Sequence, residues 1–156
     1  MQKKMQVSFY FYNPNLGGGN MVSYVFYDDT DCGGIVYHAN YLVFCERARS
    51  LLFFEKGMLP HNTKHGFVVK EIESSFIKTL HLGDKYKVQT TPLEIKSASL
   101  ILKQEIFRIA TCNTALDTPE LVFSLKVKLA HIDIHTKKPC KIADSLQDVA
   151  RFFTCE

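Results

Sequence analysis

Three aspartates, Asp28, Asp29 and Asp31, fall within four positions and run straight into Gly33-Gly34 and then His38. Like charges this close repel, so the cluster points either to chemistry or to turn building. Three chemistries use such residues. Cys32 and His38 are the parts of a thiol dyad, but six residues of loop fix no geometry between them. Asp29-x-Asp31 opens a Mg²⁺ or aspartyl-phosphate site, which also needs further carboxylates and a later Lys in a parallel α/β chain. The third arrangement asks least of the rest of the chain. Asp31 precedes a tight glycine turn, and that turn leads into a helix beginning near His38 to Asn40. The unpaired N–H groups and positive dipole end of such a helix polarise a carbonyl as an oxyanion hole does. Asp31 is then placed to act on that carbonyl as base or nucleophile. Glycine lets the backbone approach a substrate with no Cβ in the way.

One carboxylate and a set of amides are too little for an amide bond but suffice for a thioester. A thiol with a pKa of roughly 8.5 departs without a strong general acid. No G-x-S-x-G elbow occurs anywhere in the chain.

The elements that must hold this stretch follow from periodicity. "MVSYVFY", 21 to 27, is β-branched and aromatic and reads as a strand. From Asn40 to Lys56 the apolar residues Tyr41, Phe44, Cys45, Ala48, Leu51 and Leu52 recur at helical offsets, and Gly57 is placed to stop the helix. Strand patterns follow at 66–77, 84–97 and 99–111, then in "ELVFSLKVKLAHIDI", where Leu121, Phe123, Leu125, Val127 and Leu129 share one face. Pro92 predicts a bulge or an edge in the second of these. "DSLQDVARFF", 144 to 153, reads as a short terminal helix. The order β-α-β-β-β-β-α gives an α+β fold of the hotdog kind, one long helix wrapped by a curled antiparallel five-stranded sheet.

The chain's 156 residues suit one domain. Residues 1 to 20, with "YNPNLGGGN", read as an extension and residues 21 to 156 as the domain; its glycine run lacks the Lys-Ser/Thr of a phosphate loop. A net charge of +3 with no basic run beyond two residues argues against nucleic acid. No apolar run approaches the roughly 18 residues of a membrane helix, and no secretory signal is visible. Five widely spaced cysteines without a CxxC support neither zinc nor a disulfide framework, and a reducing cytoplasm is the simplest setting.

"YDDTDCGGIVYHANYLVFCERAR" resembles the signature of the 4-hydroxybenzoyl-CoA thioesterase family, close to its YbgC-type acyl-CoA thioesterases. Tyr27, Asp29, Thr30, Asp31, Gly34, Val36, Tyr37, His38, Ala39, Tyr41, Glu46, Ala48 and Arg49 match in place, and weaker similarity continues through Phe76, Leu82-Gly83-Asp84, Asp133 and Lys138-Pro139. The resemblance covers about residues 21 to 142. It implies a hotdog fold, hydrolysis of acyl-CoA or acyl-carrier thioesters, and no metal or other cofactor. It implies that Asp31 is the catalytic carboxylate, that the amide of His38 polarises the thioester carbonyl, and that the side chains of His38 and Tyr27 shape the site. Gly34, Val36 and Tyr37 fall to substrate binding. It also implies a homodimer or homotetramer with sites at the dimer interface. The alternative is a non-catalytic hotdog that binds acyl carriers or an envelope complex, associating peripherally with the envelope. Thr79-Leu80-His81 stand where the family has Pro-Ala before the Leu-Gly-Asp turn, which bears on local strand geometry rather than on the chemistry.

Plainer readings stand beside these. Tyr27 also reads as the end of a strand, and Asp28 and Asp29 as turn or capping residues. Glu46 and Arg49, three apart, read as a surface pair or as a partly buried pair supporting the loop. His131-x-Asp133-x-His135 puts three ligand types on one strand face, yet a polar strand end running into a turn accounts for it. Lys126, Lys128, Lys137 and Lys138 read as a solvated face or as partners of CoA phosphates.

Overall fold

The computed structural model describes residues 20–144 and 146. In this span lie β1 (Asn20–Tyr24), a 3-10 turn (Tyr27–Asp29), α1 (His38–Phe54), β2 (His65–Phe76), β3 (Asp84–Ile95), β4 (Ser99–Thr111) and β5 (Thr114–Asp133). The strands pair antiparallel in one sheet of order β1-β3-β4-β5-β2, with α1 packed on one face. This is the hotdog arrangement.

Alternation along the strands builds the face under the helix. Tyr86, Val88 and Thr90 of β3, Leu100, Leu102, Gln104 and Ile106 of β4, and Phe123, Leu125 and Val127 of β5 are all buried. From α1, Tyr41, Phe44, Cys45, Ala48 and Leu52 meet them at helical spacing. Phe44 stacks on Tyr86 with ring centroids 4.5 Å apart, and Tyr41 sits 5.2 Å from Phe123. Each fully buried aromatic of this kind contributes about 1.5–3 kcal/mol. Leu51 is only half-buried, and Phe53 is buried in addition to the expected set. Gly57, at φ +66°, ends the helix by donating to Phe54 while Met58 donates to Phe53. The bulge expected near Pro92 is present: the β3–β4 register shifts between Pro92 and Glu94, leaving Leu93 exposed.

Several boundaries differ from the periodicity. β1 begins at Asn20, paired with Gln89, and stops at Tyr24 instead of running to Tyr27. The chain bends there because the Asp29 carboxylate draws in the amide of Phe26 at 2.9 Å and closes a 3-10 turn. α1 starts at His38 and stops at Phe54, two residues earlier at each end than Asn40 to Lys56. β5 begins at Thr114, well before Glu120, because Cys112 and Asn113 adopt φ of 45° and 64° and form a two-residue hairpin turn with β4. The expected terminal helix at 144–153 and the extension at 1–20 lie outside the described residues, apart from Asn20, Asp144 and Leu146. Among the described residues no helix is long and apolar enough to cross a membrane.

Candidate active site

The acidic cluster divides into two kinds of carboxylate. Asp31 is exposed and opens a small hairpin in which Thr30 pairs with Val36. Its amide donates to the Ile35 carbonyl at 2.9 Å, and its carbonyl accepts from Gly34 at 3.1 Å. Its Oδ1 accepts the Gly33 amide at 2.9 Å, and its Oδ2 has no partner among the described residues. Gly34 sits at φ +73°, a conformation that strains any residue with a Cβ. The hairpin thus holds one oxygen of Asp31 and leaves the other free.

Asp29 does structural work. It is buried, its carboxylate holds the Phe26 amide, and its carbonyl accepts from the Tyr37 amide at 3.0 Å and from Asn40 Nδ2 at 2.8 Å. These bonds fasten the start of α1 to the 3-10 turn. Burial pushes the Asp29 carboxyl above its ordinary 3.8, the Phe26 amide works against this, and Asp28 adds to the rise. With Asp29 buried on the backbone and Asp31 exposed on a turn, the pair does not face a common cation. Cys32 is exposed, does not line the cleft that holds Asp31 and His38, and makes no hydrogen bond to His38 among the described residues.

A second loop laces the hairpin in place. The Val36 amide donates to Leu80 at 2.9 Å and the Leu82 amide to Gly34 at 3.1 Å. Leu80 is fully buried, and its own amide donates to the hydroxyl of Tyr41 at 2.9 Å. The departure at Thr79-Leu80-His81 is therefore accommodated with both backbone groups of Leu80 satisfied. Asp84 anchors the far side of this loop. Its buried carboxylate accepts from the His81 amide and Thr111 Oγ1, each at 2.9 Å, and from Arg108 Nη1 at 3.3 Å. Arg108 continues to Glu120, and Glu120 to Lys78. Burial pulls the Arg108 guanidinium down, but its bonds to Glu120 and Asp84 prevail and hold it above the usual value.

Asp31, Val36 and His38 come together in a cleft of about 280 Å³, with Ile35, Tyr41, Phe76 and residues 77–79 completing the lining. α1 opens onto it. The Tyr37 amide is taken by Asp29 and the Asn40 amide by Tyr37, whereas the amides of His38 and Ala39 donate to no described residue. The helix N-terminus therefore presents free donors and its positive dipole end beside the Asp31 carboxylate.

The other expected site residues lie apart from this cleft. Tyr27 is 82% exposed on the 3-10 turn, where only its carbonyl is engaged, by Thr30. Gly34 shapes the hairpin, and Tyr37 meets the His38 ring at a tilt, with centroids 4.4 Å apart, without lining the cleft. Sequence periodicity marked Tyr41 as core and did not reveal that its hydroxyl holds the loop; nor did it place Lys78 in the cleft.

Three further expectations resolve differently. Glu46 and Arg49 do not pair: Glu46 accepts from Ser50 at 2.6 Å, and Arg49 donates to the buried Gln104 at 2.7 Å. His131, Asp133 and His135 do not share a strand face, because β5 ends at Asp133 and His135 lies in the following turn. Asp133 caps that turn by accepting the amides of His135 and Thr136, while buried His131 meets Cys140. Lys126 and Lys128 stand opposite Glu73 and Glu71 in the β2–β5 register, which offsets their charge.

A free carboxylate beside an open helix N-terminus on a hotdog scaffold defines a site of the hotdog thioesterase class. The sequence matches the thioesterase-like superfamily over residues 25–149, and the chain belongs to that family. It is 37% identical over 118 residues to the acyl-CoA thioesterase YbgC of Helicobacter pylori, covering 76% of this chain and 89% of that one. It is 35% identical over 119 residues to the protein of the same name from Haemophilus influenzae, covering 74% and 81%. Among solved structures, a 1,4-dihydroxy-2-naphthoyl-CoA thioesterase from Synechocystis superposes with a TM-score of 0.76 over 86% of this chain and 96% of that one, at 17% identity.

Proposed function

We propose that Asp31 and the first turn of α1 hydrolyse acyl-CoA thioesters to the free acid and CoA thiol. The observation that carries this reading is the free Oδ2 of Asp31 in one cleft with the unpartnered amide of His38. The thioester carbonyl oxygen points at the His38 amide, which stabilises negative charge as it develops there. Asp31 either takes a proton from the attacking water or attacks the carbonyl carbon itself. In the second route a mixed anhydride forms, the thiolate leaves, and water then cleaves the anhydride. The His38 side chain lines the same cleft.

The working unit is a homodimer. β2 is an edge strand of twelve residues, and Val68, Val69, Ile72 and Phe76 along it are 41–56% exposed. A long apolar edge of this kind is stable in water only when covered, and antiparallel pairing with a second β2 covers it. We place the protein in the cytoplasm, where its four described cysteines stay as the free thiols seen here.

Asp31→Asn tests the reading. Asn keeps the size and accepts the Gly33 amide, but it is neither base nor nucleophile at neutral pH. Turnover should fall on the order of 10²-fold or more while circular dichroism stays unchanged. Near-native turnover by this variant would reject Asp31. A wild-type protein that binds acyl-CoA and releases no thiol would favour the binding-module alternative.

A further inference from the structure

A second hollow, of about 420 Å³, lies between the later half of α1 and the first half of β2. Phe53, Phe67, Leu100, Leu102 and Leu129 make it largely apolar, and Arg49 is set in its wall. Arg49 spends one donor on Gln104. No carboxylate stands within ion-pair distance of it among the described residues. Glu46, in the same wall, is occupied by Ser50. Burial pulls the guanidinium pKa down, with Cys45 and Glu46 opposing, as befits a half-buried cation with no counter-ion at hand. No other hydrogen bond of its guanidinium is made among the described residues, and an apolar occupant of the hollow would cover its N–H groups with nothing in return.

Position links this hollow to the chemistry. It borders Gly66 to Val69 at one end of β2, whereas the Asp31 cleft borders Phe76 at the other. Within one chain the two lie roughly 25 Å apart by strand rise. Antiparallel β2–β2 pairing reverses one strand against the other and sets the hollow of each subunit beside the Asp31 cleft of its partner.

We infer that this hollow receives the far end of the acyl group held in the partner subunit's cleft, and that Arg49 selects acyl groups ending in an oxygen acceptor. This rests on the dimer proposed above. A terminal carboxylate or hydroxyl takes the free N–H groups of Arg49, whereas a terminal methyl leaves them covered and unpaired. A site built to hydrogen-bond an oxygen rejects the analogue lacking it far more strongly than an apolar pocket rejects a size mismatch.

The test uses three acyl-CoAs of equal chain length ending in carboxyl, hydroxyl or methyl. kcat/KM is measured for the wild type, Arg49→Met and Arg49→Lys, with sedimentation of the same samples. Arg49→Lys keeps a donor for Gln104 and guards against a folding defect. The wild type should prefer the carboxyl or hydroxyl substrate to the methyl one by at least about 10-fold. Arg49→Met should abolish that preference, and Arg49→Lys should keep it for the carboxyl substrate alone. Preference for the carboxyl substrate only in the wild type would identify acidic acyl groups as the ligand, and preference for both would identify any oxygen acceptor. A dimer with no preference, or variants in which all three substrates fall together, would overturn the role of Arg49 alone. A monomer with full turnover would overturn the two-subunit placement.

Discussion

The hydroxyl of Tyr41 accepts the amide of Leu80 at 2.9 Å, and the carbonyl of Leu80 in turn accepts the amide of Val36 at 2.9 Å. A buried phenol on the helix is thereby two hydrogen bonds from the hairpin that carries Asp31. Tyr41→Phe keeps the ring contacts with Phe44 and Phe123 but leaves the buried Leu80 amide unpaired. The expected loss is about 1–3 kcal/mol in denaturant unfolding. kcat should fall more than KM rises, since the hairpin that carries Asp31 loosens while the rest of the proposed site stays. An unchanged kcat would show that the loop does not position Asp31.

Asp84→Ala should be harsher. It removes the acceptor of the His81 amide and Thr111 hydroxyl and strips Arg108 of one of its two carboxylates. Leaving these donors unpaired costs at least about 2 kcal/mol, read as a lower urea midpoint with an unchanged slope. Asp84→Asn, which can still accept, should recover part of that loss.

Asp29 carries a pH signature. Its carboxyl titrates above 3.8 in the fold because burial disfavours the charge. The ionised form is therefore less favourable folded than unfolded, and wild-type stability from this group declines as pH rises through the elevated pKa. Asp29→Asn keeps an acceptor for Phe26 and removes the charge. Its stability relative to wild type should grow as pH rises from about 4 in parallel melts, with turnover retained. Loss of turnover in this variant, with Asp31→Asn active, would move the chemistry from Asp31 to Asp29.

On β2, Val69→Lys combined with Ile72→Lys alters side chains that are 49% and 41% exposed in the single chain. The fold should persist, while light scattering reports one chain where the wild type reports two. Turnover should fall with the mass. A double variant that remains dimeric would exclude β2 as the joining edge.

What the sequence disclosed and what it hid separate by distance along the chain. The glycine turn after Asp31 and a helix start near His38 to Asn40 were readable because glycine, aspartate and helical spacing act within a few residues, whereas the Thr30–Val36 pairing that closes the turn was not. The sheet-facing strand residues were readable because alternation is local. Arg49 with Gln104, Tyr41 with Leu80 and Asp84 with Arg108 were not, since each partner is fixed only by the sheet order and the seating of the helix. The i,i+3 spacing suggested Glu46 for Arg49. Gln104, with no exposure at all, needs a donor for its oxygen and takes Arg49 instead. β2 was readable as a strand, but nothing in its residues says that it lies at an edge.

The sheet order has a consequence for how the chain acquires its fold. β2 precedes β3 and β4 in the sequence, yet its partner in the sheet is β5, the last of the described strands to be made. During synthesis β2 therefore emerges with both edges open and waits for two further strands and their hairpin before either is covered. Such non-local pairing is slow, and exposed apolar strands in waiting chains associate with one another. Refolding yield should accordingly fall as chain concentration rises during the interval before β5 docks, even though the proposed dimer would need that same concentration to form.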